Sequence, residues 1–172
     1  KYEDPGGHAT DVKAPGGTII RVDIKTQKVE TVAGGLRNAY DLAFDRYGEL
    51  FTHDSDMESD QGTPWHRGTR LLHVIEGAEF GWRSGWSKWP DYFVDSTPPV
   101  ADTGRGSPAG LVFYNHFAFP TSYHNALFSC DWSSGRIMVY RLEQNGTSWD
   151  VHSEVFLEGQ PLNVTDIEVG PD

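Results

Sequence analysis

Three segments of this chain begin alike, and their repetition constrains the fold more than any other feature. They read GTIIRVDI from Gly17, GTRLLHVI from Gly68 and GRIMVYRL from Gly135, with starts 51 and 67 residues apart. A second pair recurs as AYDLAFDRYG from Ala39 and VTDIEVGPD from Val164. Repeats of about 40–50 residues with four short strands each are the signature of propeller blades. The spacing therefore predicts an all-β chain with about three blades of a β-propeller.

The turn chemistry between the repeats agrees with a succession of hairpins. Gly48 closes the turn DRYG between two short apolar runs, and Asn145-Gly146 is a strong two-residue turn signal. We expect one helical turn around residues 122–125 and a long aromatic loop from Phe80 to Phe93. Because so few blades cannot close a ring, residues 1–172 are predicted to be one partial propeller domain, a fragment of a larger protein.

Composition excludes several classes of partner. The formal net charge is -11 with only 14 Lys and Arg residues, which argues against binding a nucleic-acid backbone or an anionic membrane surface. No apolar run approaches the roughly 18 residues that a membrane-spanning helix needs. The single cysteine, Cys130, lies in the apolar run LFSCDW, and we expect it to be a buried core thiol.

An acidic run directly follows the predicted strand ELFTHD. Its four carboxylates alternate through HDSDMESD: Asp54, Asp56, Glu58 and Asp60. In an extended segment alternate side chains share one side, so the four groups repel one another unless something compensates their charge. A calcium ion held by these carboxylates is one form of compensation. Arg67 and Arg70 offer another that needs no ion.

Two longer motifs carry a family resemblance. GGLRNAYDLAFDRYGELFTHD and VIEGAEFGW resemble signatures of the soluble quinoprotein glucose and aldose sugar dehydrogenases. The run DSDMESDQGTPWHRGTRLLHVIEGAEFGWRSGWSKWPDYF is similar to a planctomycete subfamily of membrane-bound, sorbosone-type dehydrogenases. The resemblance extends over residues 8–172 and implies a propeller that has six blades when complete.

The same resemblance implies a function and a site. Arg37 and Asn38 match the Arg-Asn pair that contacts pyrroloquinoline quinone (PQQ) in those dehydrogenases, where calcium accompanies the quinone. The implied reaction is oxidation of a sugar or alcohol in the periplasm or outside the cell, with an attached c-type cytochrome domain or another partner as the electron acceptor. No catalytic residue is assigned, because the family's histidine has no matching surroundings here.

The sequence departs from the family at two places, and two other functions stay open. The family's Glu-Gln-Gly-Pro becomes Asp54-Ser55-Asp56-Met57, and its cofactor-binding lysine is replaced within Ser133-Ser134-Gly135-Arg136. One alternative is a calcium-dependent, lactonase-like hydrolase that uses the acidic run and Asn38. The other is a non-catalytic propeller that binds a glycan or positions an attached cytochrome, with tryptophans that stack on sugar rings: Trp65, Trp86 and Trp89.

Overall fold

The computed structural model describes residues 17–56, 61–64, 66–83, 87–89 and 92–171. Its strands are β1 (Gly17–Val22), β2 (Val29–Leu36), β3 (Leu42–Phe44), β4 (Leu50–Asp54), β5 (Thr69–His73), β6 (Ala78–Glu79), β7 (Trp82–Arg83), β8 (Ser87–Lys88), β9 (Ala101–Gly104), β10 (Pro108–Tyr114), β11 (Ala126–Asp131), β12 (Arg136–Asn145) and β13 (Ser148–Glu158). A 3-10 turn covers Thr121–Tyr123. Within the described ranges, no helix is long and apolar enough to cross a membrane.

The strands form successive four-stranded antiparallel sheets, as expected for propeller blades. One sheet has the order β3-β4-β5-β9 and the next has the order β10-β11-β12-β13. Strands β1 and β2 form an antiparallel hairpin before them, and β6 joins β2 in parallel. We name these the first blade (β1, β2), the second blade (β3 to β5 with β9) and the third blade (β10 to β13). The prediction of an all-β chain with about three blades is confirmed.

The repeated glycines have one structural reason. Each begins or directly precedes a strand (β1, β5 or β12) and lies against a carbonyl oxygen at the end of the strand paired with it. A Cβ at Gly68 would lie 2.5 Å from the oxygen of Gly104, and one at Gly135 would lie 2.7 Å from the oxygen of Gly159. Gly17 faces Leu36 in the same way. No side chain fits at such distances, so the backbone approach itself selects glycine.

Two turn predictions are confirmed, and the predicted aromatic loop needs correction. Gly48 has φ 88° in the turn between β3 and β4, and Gly146 has φ 64° between β12 and β13. The helical turn is present as the 3-10 segment Thr121–Tyr123. The stretch after Phe80, however, includes the short hairpin β7–β8, and β9 follows where no strand was predicted. These strands are only 2–4 residues long, too short for an alternating pattern.

The core lies between the sheets rather than inside any one of them. One apolar cluster joins the first and second blades through Ile19, Leu36, Leu72 and Phe80. A second joins the second and third blades, and its fully buried members include Phe51, Leu71 and Leu127. Cys130 is buried as predicted, and that burial, with the charges of Asp166 and Asp41, raises the pKa of its thiol to about 11.

Candidate functional site

The loops that carry the predicted site residues lie at one end of the sheets. In an antiparallel blade, the entry to the first strand, the second-to-third connection and the exit of the fourth strand share an end. We call this the upper end and define it by the loops 37–41, 55–68, 104–107, 131–135 and 159–166. The Arg37–Asn38 pair and the start of the acidic run belong to it. The structure therefore brings the two sequence-predicted sites to one end of the blades.

Asp54 joins these two sites. Its Oδ1 accepts hydrogen bonds from the backbone N–H groups of Arg37 at 3.0 Å and Asn38 at 2.9 Å. Its Oδ2 accepts from Arg70 Nη2 at 3.3 Å. Asp54 is completely buried and Arg70 is 4% exposed, so the ion pair has almost no solvent around it. The carboxylate thereby fixes the backbone of the Arg-Asn pair against the end of β4.

The side chains of Arg37 and Asn38 differ in their surroundings. The half-buried guanidinium of Arg37 donates from Nη1 to the Ser55 hydroxyl at 2.9 Å. Asn38 is exposed at the upper end, directly before the first strand of the second blade. The structure places the pair at the upper end of the second blade. Its role in holding a cofactor stays a prediction.

The acidic run does not form one uniform cluster. Asp54 is engaged by backbone and arginine N–H groups, as described above. Asp56 is also completely buried; its Oδ2 lies 3.3 Å from His66 Nε2, and its Oδ1 has no hydrogen-bond partner among the described residues. Glu58 and Asp60 lie outside the described residues. In the part of the chain that the structure describes, no three acidic, histidine or cysteine side chains group as a metal site would require.

A buried polar chain links the second and third blades beneath the upper end, and sequence reasoning missed it. His53 Nδ1 lies 2.8 Å from the Ser129 hydroxyl, and His53 Nε2 lies 2.7 Å from the Thr103 hydroxyl. Thr69 continues the chain, with its hydroxyl 2.6 Å from that of Thr103. Because His53 is only 6% exposed, we interpret this chain as a structural connection between blades. A histidine in an otherwise apolar-alternating strand was the only available signal.

The third blade repeats the arrangement around Asp54 with a different aspartate. Asp131 ends β11, accepts from the Ser107 N–H at 2.9 Å and pairs with Arg136 at 3.1 Å. Burial acts to raise the pKa of Asp131, but the hydrogen bonds from Ser107 and Ser134 and the charge of Arg136 outweigh it and hold that pKa below its usual value. A carboxylate that ends the second strand therefore ties down the entry to the first strand in both blades.

Arginines and carboxylates are interspersed at the upper end of a chain whose net charge is -11. Several arginines lie in or border its loops: Arg37, Arg67, Arg70, Arg105 and Arg136. Two of them neutralise Asp54 and Asp131, and Arg105 donates to Gln61. The others supply guanidinium groups where Asn38 supplies an exposed amide. Such a donor set suits a ligand that bears carboxylates.

These residues can be tested against the groups that the fold suggests. A carboxylate-bearing quinone such as PQQ fits the Arg37 guanidinium and the exposed Asn38 amide, since both donate to carboxylate oxygens. A calcium ion fits the two described carboxylates of the acidic run unequally. The oxygens of Asp54 already accept three N–H groups, whereas the buried Oδ1 of Asp56 has the unsatisfied acceptor that a cation would satisfy.

Comparison with solved structures supports the propeller architecture. The chain superposes on an oxidoreductase described as a glucose dehydrogenase from Thermus thermophilus with TM-score 0.66, 21% identity, and coverage of 83% of this chain and 39% of the other. For the PQQ-bound aldose sugar dehydrogenase of Streptomyces coelicolor the TM-score is 0.59 and the identity 18%, with coverage of 79% of this chain and 35% of the other. For the apo soluble aldose sugar dehydrogenase of Escherichia coli the TM-score is 0.63 and the identity 20%, with coverage of 87% of this chain and 44% of the other.

The fold is thus that of the β-propeller in sugar dehydrogenases. More particularly, the chain is similar to glucose and aldose sugar dehydrogenases, and it spans less than half the length of each of these three structures. No protein-family model matches the sequence, and no curated protein matches it. At identities of 18–21% the likeness shows the fold alone, so the activity of the whole protein is a matter for proposal.

Proposed function

We propose that this chain is part of the propeller of a quinone-dependent dehydrogenase that oxidises a carbohydrate-type substrate. The observation that carries the proposal is the attachment of Arg37 and Asn38 to the buried carboxylate of Asp54 at the upper end. The similarity to sugar dehydrogenases, one of them bound to PQQ, points to the same chemistry. The Arg37 guanidinium at this end also favours a cofactor that bears carboxylates.

Each residue in the proposed site has a definable task. The bound quinone would supply the two-electron acceptor for the alcohol carbon of the sugar. Arg37 presents a planar fork of N–H groups to a cofactor carboxylate, and Asn38 can donate or accept beside it. Asp54 and Arg70 hold that pair in place without being exposed themselves. The base that takes the hydroxyl proton is not assigned to any described residue.

The finer parts of the proposal come from the sequence motifs. They are membership of the planctomycete membrane-bound, sorbosone-type subfamily, a periplasmic or extracellular location, and electron transfer to a c-type cytochrome domain. The cytochrome partner has a direct test in the full-length sequence. A Cys-x-x-Cys-His segment that follows the propeller would support the cytochrome partner, and its absence from the whole protein would remove that partner from the proposal.

We also propose that residues 1–172 belong to a larger propeller. Apolar side chains are exposed on the two flanking blades, as with Ile20 and Val22 of the first blade and Phe156 and Leu157 of the third. The equivalent faces between the second and third blades are buried against each other. A further blade on each side would bury the exposed side chains in the same way. A full-length structure with these residues in solvent would contradict this proposal.

Replacing Arg37 should weaken quinone binding. In the full-length protein, we expect Arg37→Ala to lower the affinity for PQQ by about 10- to 100-fold, because a charge-assisted hydrogen bond contributes about 1.5–3 kcal/mol. Asn38→Ala should lower it less. The measurement is titration of the metal-supplied apoprotein with PQQ, followed by quinone absorbance.

The matched control for this titration is Arg46→Ala. Arg46 is an exposed arginine in the turn between β3 and β4, at the opposite end of the second blade, where it lies 5.5 Å from the ring of Tyr47. Its removal subtracts the same charge and should leave PQQ affinity unchanged. Equal losses in Arg37→Ala and Arg46→Ala would show a general charge effect and would count against the site.

Calcium binding by the acidic run is a separate prediction, centred on Asp56 with Glu58 and Asp60. Titration of metal-stripped full-length protein with calcium should release or absorb heat and raise the melting temperature, because the ion stabilises the state that binds it. Asp56→Asn should abolish the heat, whereas Asp95→Asn, which changes an exposed carboxylate elsewhere, should not. Absence of heat and of a rise in melting temperature in the unmodified protein would contradict the metal site.

A further inference from the structure

Trp132 stands out among the tryptophans that the structure describes. It lies in the upper-end turn between β11 and β12 and is 47% exposed, while the preceding Asp131 is 6% exposed. Trp82, Trp89 and Trp149 are all more buried. Of the tryptophans proposed from sequence for sugar stacking, Trp89 packs against a phenylalanine, and the other two, Trp65 and Trp86, lie outside the described residues. An exposed indole at the upper end therefore calls for a different explanation from core packing.

The backbone on both sides of this indole is held in place. The N–H of Trp132 donates to the carbonyl oxygen of Ser107 at 3.0 Å, and its carbonyl oxygen accepts from Asn163 Nδ2 at 3.4 Å. Asp131, next in the chain, is tied to the Ser107 N–H and to Arg136. The turn is thus fixed to the loop before β10 and to the segment that follows β13. The backbone that carries the exposed ring is therefore preorganised, which lowers the cost of binding a ligand there.

Asn163 corresponds to Asn38 in the internal repeat. Each asparagine precedes an aspartate by three residues, Asp41 in one case and Asp166 in the other. Each of those aspartates caps the next residue in the same way, through bonds of 2.7 Å to the N–H of Leu42 and 2.9 Å to the N–H of Ile167. Asn163 is exposed, as Asn38 is. Two equivalent amides therefore lie at the upper end, one before the second blade and one after the third blade, which carries Trp132.

We propose that Trp132 and Asn163 form the platform that binds the ring of a carbohydrate substrate; this inference rests on the proposed function. A pyranose has apolar C–H faces, which match the face of an indole, and a rim of hydroxyl groups, which match the donors and acceptors of an amide. The Asn163 amide lies beside the turn that carries the indole, because it donates to the backbone carbonyl of Trp132. The platform lies at the same end of the blades as Arg37 and Asn38, where the oxidant is proposed to bind.

The test measures sugar binding by the full-length apoprotein without quinone. Calorimetry with glucose, galactose, mannose, xylose, maltose and cellobiose should find at least one ligand. We expect Trp132→Ala to weaken its binding by about tenfold, the effect of one stacked ring. Trp132→Phe should restore most of the affinity, and Asn163→Ala should weaken it. Tyr47→Ala, which removes an exposed aromatic ring at the opposite end, is the matched control and should have no effect.

A second measurement does not depend on how the variants fold. Bound sugar should protect the tryptophan fluorescence of the unmodified protein from quenching by acrylamide, because Trp132 is the exposed indole among those the structure describes. Failure of every sugar to bind or to protect would overturn the inference. So would unaltered sugar affinity in a folded Trp132→Ala variant, which is the result expected if another part of the protein covers this indole.

The two proposals fail in distinguishable ways. In quinone-loaded protein, Trp132→Ala should raise KM and leave kcat within about twofold, since the ring contacts the substrate equally in the ground and transition states. If oxidation occurs and both constants are unchanged in the variant, the platform is wrong and the dehydrogenase stands. If sugar binding needs Trp132 but no quinone-dependent oxidation is found, the platform stands and the dehydrogenase is wrong.

Discussion

Replacement of Asp54 by alanine is expected to lower the free energy of unfolding by about 3–5 kcal/mol, because it leaves a buried arginine without its counter-charge. Arg70 is 4% exposed and is held between Asp54 and the carbonyl oxygen of Phe80. The same change removes the acceptor for the backbone N–H groups of Arg37 and Asn38. Urea unfolding of the full-length protein measures the loss.

Two control variants distinguish the cost of leaving a buried charge unpaired from the cost of losing an exposed salt bridge. Arg141 and Glu154 form a shorter ion pair, at 2.7 Å, but both side chains are substantially exposed. Glu154→Ala should therefore cost only about 0–1 kcal/mol. Combining Asp54→Ala with Arg70→Met should recover part of the loss, since no buried charge remains. If Asp54→Ala lowers the free energy of unfolding no more than Glu154→Ala does, Arg70 must find water or another partner in the variant.

The repeating blade could be predicted from the sequence because its cause is local. At Gly17, Gly68 and Gly135 the backbone of the neighbouring strand leaves no room for a side chain. Each repeat can therefore be recognised in the sequence as a glycine followed by apolar residues. The turns at Gly48 and Gly146 were predictable for a similar reason, since both need a positive φ. Short insertions such as β6 to β8 left no such mark, because two-residue strands have no period.

The environment of the site residues could not be predicted, because it depends on contacts between distant segments. The spacing in HDSDMESD suggested four equivalent carboxylates. The structure instead buries Asp54 against Arg37, Asn38 and Arg70, which lie 16–17 residues away on either side. Likewise, nothing in the sequence around Trp132 distinguishes it from the packing tryptophans. Only the fold shows that its turn reaches the upper end and leaves the ring exposed.

Substitution in the contact between the second and third blades should lower the free energy of unfolding as much as substitution of Asp54. Phe51 is completely buried, and its ring meets Phe113 and Trp149 of the third blade edge-on, each at 5.4 Å between centroids. It also stacks on His73 of the neighbouring strand at 4.9 Å. Removing a ring enclosed in this way leaves a cavity between two sheets that cannot easily close. We therefore expect Phe51→Ala to cost about 3–5 kcal/mol.

The matched variant at the same position is Phe51→Leu, which keeps most of the volume and should cost less than half as much. A double-mutant cycle with Trp149→Ala then shows whether the energy belongs to the contact between blades. Because the two rings touch, their combined loss should fall short of the sum of the single losses by about 0.5–1.5 kcal/mol. Strict additivity would mean that each ring is held within its own sheet. The second and third blades would then have to be joined mainly by the polar chain through His53 and Ser129.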